Sequence, residues 1–125
     1  MAKKKKVAKK SVRSPASKAL PTNRKMGRYD GVLFEFYNDD TSLELRGTVV
    51  IREDAMVVEI PEQDNIAESL IVGKPRGHYF QGSNSSRDPD TLAAVACWAD
   101  LGEAFAGTWQ DDNDDLLFTF RLPKK

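Results

Sequence analysis

The chain has little of what reactive centres are usually built from. It has one cysteine, Cys97, and one histidine, His78. A single thiol excludes an internal disulfide. There is no Cys-x-x-Cys pair, His-Glu-x-x-His helix, Gly-x-Ser-x-Gly elbow or phosphate-binding glycine loop. Hydrolytic or metal chemistry would therefore need a site assembled without a signature. No apolar run approaches the roughly 18 residues of a membrane-spanning helix. Acids are missing from one region altogether. The first 28 residues hold eleven Lys or Arg and no Asp or Glu, while the other 97 hold eight Lys or Arg and all nineteen acids. The formal net charge of zero thus conceals a basic segment joined to an acidic body.

The basic segment, residues 1–27, has almost no apolar residues with which to build a core, and its composition predicts a disordered tail. No apolar stretch follows its lysines, so it does not read as a secretory signal. Lys outnumbers Arg, and Pro15 and Pro21 interrupt any amphipathic helix, which argues against a transit peptide. Cytoplasm is the expected compartment, or the nucleus if the source is a eukaryote. Such an arm suits nucleic acid or another polyanion, bound without sequence readout through Lys3, Lys4, Lys5, Lys6, Lys9, Lys10, Arg13, Lys18, Arg24 and Lys25. The bland reading is a solubilising polycation.

Residues 28–125 read as one small acidic all-β domain. Leu116, Phe118, Phe120 and Leu122 alternate with Leu117, Thr119 and Arg121, the period of a strand with one buried face. Phe105, Gly107 and Trp109 repeat the pattern. From 93 to 98, Ala93, Val95 and Cys97 alternate with Ala94, Ala96 and Trp98, and Leu43, Leu45, Gly47, Val49 and Ile51 alternate with Glu44, Arg46, Thr48 and Arg52. Asn38 to Thr41, Asp100 to Gly102 and Asp111 to Asp115 have turn composition. Lys74 to Gly77 is expected to be a turn, and Glu62 to Asn65 and Ser83 to Asp90 to be loops. About eight short antiparallel strands result, arranged as an up-and-down barrel or, alternatively, a two-sheet sandwich, whose open edges would invite a homo-oligomer.

A large apolar residue, a variable one and Gly recur at Tyr29 to Gly31, Leu45 to Gly47, Phe80 to Gly82 and Phe105 to Gly107. Glycine inside a strand permits tight coiling or the close approach of a neighbouring ring, as a small barrel requires. The order of Leu45-x-Gly47-Thr48, Ala67-Glu68-Ser69, Gly77-His78-Tyr79, Ala96-Cys97-Trp98 and Phe105-Ala106-Gly107 resembles the avidin-type, calycin-like barrels. That resemblance implies an eight-stranded meander with a small ligand in its mouth. Trp98 would match one tryptophan of the family's ligand cage, with Phe105 and Phe120 in place of others. The polar residues that hold that family's ligand have no counterparts here, so biotin binding is not implied.

The candidate ligand-binding residues are accordingly Trp98, Phe105, Trp109, Phe120, His78 and Glu35. The aromatics are equally suited to being plain core. Glu35 depends on the register of its strand. If Tyr29, Gly31 and Leu33 face inward, so does Glu35, marking a polar pocket. If Val32, Phe34 and Phe36 face inward, Glu35 is exposed, and this second register buries two rings rather than a charge. Cys97 is expected to pack as a small buried hydrophobe. Asp111, Asn113 and Asp115 alternate like the start of a calcium loop but lack its glycine and closing glutamate, so they read as a turn. No metal, cofactor or catalytic residue is assigned. The reading is a non-enzymatic binding module: a barrel for a partner or small ligand, tethered to a polyanion by its tail. The alternatives are a small-molecule carrier and an enzyme without a recognisable motif.

Overall fold

The computed structural model describes residues 20–87 and 90–123. Among the described residues eight strands follow one another: β1 Gly27–Tyr37, β2 Ser42–Ile51, β3 Met56–Ile60, β4 Ser69–Arg76, β5 Tyr79–Ser83, β6 Ala94–Asp100, β7 Phe105–Asp111 and β8 Asp115–Phe120. Each pairs antiparallel with the next, and β1 pairs with β8, so the meander closes into a barrel. The sandwich alternative is excluded, and among the described strands closure leaves no free edge. No helix occurs among the described residues.

Alternation decides which side chains fill the barrel. Leu45, Val49 and Ile51 of β2, Ala94, Ala96 and Trp98 of β6, Phe105 and Trp109 of β7, and Phe118 and Phe120 of β8 are all buried. Strand β1 buries Val32, Phe34 and Phe36 and leaves Glu35 exposed opposite Glu44 of β2. Tyr29 is buried as well, although its parity opposes that of Val32. A register shift between Tyr29 and Val32, with Gly31 at φ 67°, inserts the extra residue that turns both side chains inward. Tyr29 had been expected on the opposite face from Val32.

Strand β4 also differs from expectation. It continues through Lys74–Pro75–Arg76, and the hairpin turn is Gly77–His78, with Gly77 at φ 65°. Arg76 and Tyr79 close this two-residue turn, so Pro75 falls at the next pair, where its nitrogen points away from β5. Pairing to β3 has already ended at Gly73, and the missing N–H therefore breaks no ladder bond.

An aromatic column runs along the axis. Phe105 and Phe120 stack at 4.9 Å, Phe34 meets Phe120 at 5.0 Å, and Phe118 links Phe120 to Trp98 and Phe36. Trp98 stacks on Phe80 and donates its indole N–H to Met56 Sδ. One glycine makes room for this column and another for the backbone of the neighbouring strand. A Cβ at Gly73 would stand 2.5 Å from the Trp98 indole, and one at Gly107 would collide with the Cys97 carbonyl. Cys97 itself lies on the outer face of β6, half-buried against Thr108 Oγ1, because Trp98 takes the inward position beside it.

Candidate functional site

The two ends of the barrel are closed differently. One end carries the turns 52–55, 77–78 and 101–104, and a segment preceding β1 crosses it. Leu20 packs on the core. Thr22 Oγ1 donates to Asp100 Oδ2 at 2.6 Å, and the Tyr29 hydroxyl donates to the Lys25 carbonyl at 2.6 Å. Arg24 lies 5.6 Å from the centroid of the Phe105 ring, 3.8 Å from Asp100 Oδ2, and donates to the Gly102 carbonyl. The cation thus covers the last ring of the aromatic column while its charge is shared with a carboxylate and a carbonyl. Residues 20–26, grouped with the tail on composition, are a strap over this end.

The other end is open. A cavity of about 390 Å³ sits above the aromatic column. Its floor and walls include Phe36, Leu45, Ile60, Trp109 and Leu116, inward residues near the ends of their strands. Phe36 and Trp109 meet edge to face at 5.3 Å. The opening has a sequence cause. Around Phe105 and Phe120 the inward positions are large, whereas on one side of this end the lining includes the small or polar Ala67, Ser69 and Asn84. Small side chains on one arc leave volume that the opposite arc does not fill.

Two loops form the rim, and both are pinned. In the first, Asp64 and Asn65 have φ of 51° and 64°, the double left-handed geometry of a type I′ turn between Gln63 and Ile66. Gln63 then uses its side-chain amide as a surrogate strand, accepting from Arg46 N and donating to Arg46 O, both at 2.8 Å. This satisfies β2 where its pairing to β3 stops and turns Asn65 and Ile66 toward the cavity. In the second loop, Asn84 Oδ1 accepts from Leu70 N at 2.9 Å, and Asn84 Nδ2 donates to Ser69 Oγ and to the Leu92 carbonyl. Thr91 adds a bond to the Glu68 carbonyl at 2.6 Å. Asp90 and Leu92 are thereby held at the cavity edge.

Of the six candidate ligand residues, Trp109 lines the cavity. Trp98, Phe105 and Phe120 are packed ring on ring in the other half. His78 is exposed at the β4–β5 turn beside the strap, and Glu35 is exposed on the outer face of β1. Neither reaches the cavity. Of the polyanion candidates, Arg24 is engaged by the strap contacts and Lys25 is exposed. The remaining eight, Lys3 to Lys18, lie outside the described residues. Asp111 Oδ1 accepts from the backbone N–H groups of Asn113 and Asp114, the bonding of an Asx turn. Among the described residues, no three His, Cys, Asp or Glu side chains stand close enough to share a metal ion. No helix among them is long and apolar enough to cross a membrane.

Phe36, Leu43, Asn65, Ile66, Asn84 and Leu92 are cavity residues that were not singled out from sequence. Strand-end position would have found Phe36 and Leu43. The Asp64-Asn65 pair was a turn signal that placed Ile66. No family model matches the chain, and no curated protein or solved structure matches it.

Proposed function

We propose that this protein is a non-enzymatic binding module whose barrel mouth takes a small ligand or an apolar side chain of a partner, while its Lys-rich segment attaches the domain to a polyanion. The observation that carries the reading is the difference between the two barrel ends. One is sealed by Leu20, Thr22 and Arg24. The other keeps a cavity of about 390 Å³, within the size range of small-molecule sites, with an apolar floor and hydrogen-bonding groups at its rim. The strap sets residue 20 at the sealed end.

The carrier reading shares the mouth and dispenses with the tether. Its finer, avidin-type version sets the ligand deeper, against Trp98, Phe105 and Phe120, where rings already fill the space. The mouth version is better supported, because unfilled volume begins above these rings.

The tether is tested by binding to generic duplex DNA across a salt series. The full chain is compared with a variant in which Lys3, Lys4, Lys5, Lys6, Lys9 and Lys10 are replaced by Gln. The expected result is affinity that falls with salt at about 0.9 log units per log unit for each phosphate contact, with a slope several units shallower in the variant. Equal affinity and slope for the two proteins would remove the tether from the reading. The mouth is tested separately, by the ligand experiment below.

A further inference from the structure

The cavity and the charges around it together suggest what the mouth selects, an inference that rests on the mouth being a binding site. Among the described residues, the turns and loops at the open end (38–41, 61–68, 84–93 and 111–115) carry ten acids and one base, Arg87. The strap and turns at the sealed end (20–28, 52–55, 76–78, 100–104 and 121–123) carry four acids and six Lys or Arg. Two of the open-end acids, Asp90 and Asp111, line the cavity, and among the described residues no Lys or Arg does. The bonds that Asp111 makes within its turn come from backbone N–H groups, and none of the ion pairs among the described residues involves it. A cleft with low-dielectric walls and charge of one sign at its rim focuses the field into its opening. Below that rim the surface is aromatic and aliphatic, provided by Phe36, Leu45, Ile60, Trp109 and Leu116.

We infer that the mouth binds a small amphiphilic cation: an apolar aromatic or alkyl body seated on Phe36 and Trp109, with an ammonium or guanidinium group at the level of Asp90 and Asp111. An anion of the same shape is repelled by the rim. A neutral molecule gains only the burial of its body. Aromatic walls favour a cation further, since ring faces attract positive charge.

The test uses three probes with one body and different heads: phenylbutylammonium, phenylbutanol and phenylbutyrate. Each is titrated into the full chain, and the indole N–H signal of Trp109 is followed by NMR. The expected result is that the cation binds about ten-fold tighter than the alcohol, with phenylbutyrate weaker still. Asp111→Asn, which keeps the turn's acceptor oxygen, should weaken the cation about five-fold and leave the alcohol unchanged, the size expected of one nearby surface charge. Asp90→Asn gives the same readout should the first variant not fold. Equal affinity for all three probes overturns the cation assignment but leaves the mouth as a binding site. If no probe moves the Trp109 signal, the site itself fails and the inference with it. If the Lys3 to Lys10 signals shift in step with Trp109, the mouth's occupant is the chain's own basic segment, and a free ligand is overturned.

Discussion

The two halves of the barrel interior are built from strands of the same pattern and end in opposite states. Around Trp98, Phe105 and Phe120 rings stack on one another, the Trp98 indole lies over Gly73, and an arginine covers the last ring. Around Trp109 and Phe36 part of the wall is alanine, serine and asparagine, and a cavity remains. Both halves show apolar alternation in sequence. What separates stability from binding here is side-chain volume along the axis rather than hydrophobicity. A half packed to native density has little freedom to accept a ligand, while a half with unfilled volume has given up packing energy for it.

The largest effect should follow from violating the tight half. Gly107→Val places a branched side chain against the Cys97 carbonyl of the neighbouring strand. Backbone cannot yield as a flexible side-chain end would. We expect a loss of about 3 kcal/mol or more, or failure to fold, read by urea denaturation. A change below about 1 kcal/mol would mean that the β6–β7 pairing is far looser than described.

The two tryptophans give a matched comparison across the halves. Trp98 is 1% exposed, fully surrounded, and bonded through its indole to Met56. Trp109 is 8% exposed and faces the cavity on one side. Trp98→Phe should cost about 2–3 kcal/mol, from the void left behind and the lost indole partner. Trp109→Phe should cost about 1 kcal/mol or less, because its missing atoms bordered empty space already. Equal costs would indicate that the mouth is packed as tightly as the sealed end.

This comparison also shows what could be read from the chain. Alternation gave the inward side of β2, β7 and β8 and favoured the register that leaves Glu35 outside, but in β6 it did not choose between the two faces, and Cys97, expected inside, lies on the outer one. It could not give height. Trp98, Phe105, Phe120 and Trp109 share an inward parity, so sequence grouped them as one aromatic site. Only the stagger of the closed barrel separates the first three from the fourth. The strap was equally hidden. Leu20, Thr22 and Arg24 find their partners at Asp100, Gly102 and Phe105, some 78 residues on in the case of Thr22 and Asp100, and nothing local in the basic composition announces it. Tyr29 turned inward because Gly31 allowed a bulge, a choice that depends on β2 as much as on β1.

Removing the strap's anchor tests the sealed end more gently. Arg24→Ala uncovers Phe105 and leaves the carboxylate of Asp100 with Thr22 alone among its strap partners. Arg24 is about a quarter exposed, so solvent already screens part of its pairing. A loss of about 1 kcal/mol is expected from thermal denaturation, with Trp109-centred binding unchanged. If binding at the mouth changed in parallel, the two ends would be coupled through the aromatic column rather than independent.

The smallest effect on stability should come with the largest effect on binding. Leu116 is only half-buried and borders the cavity at the start of β8. Leu116→Trp offers a ring to volume that is already present, so overpacking strain should be slight and the change in stability within about 0.5 kcal/mol of zero. The same ring takes the place in which the ligand's apolar body would sit. Binding of phenylbutylammonium should therefore fall below detection in a protein that unfolds at the original denaturant concentration. The contrast with Gly107→Val is the decisive one, because both substitutions add apolar volume to inward positions of adjacent strands. If Leu116→Trp destabilised the fold as Gly107→Val does, the mouth would be filled core and the barrel would have no half reserved for a ligand.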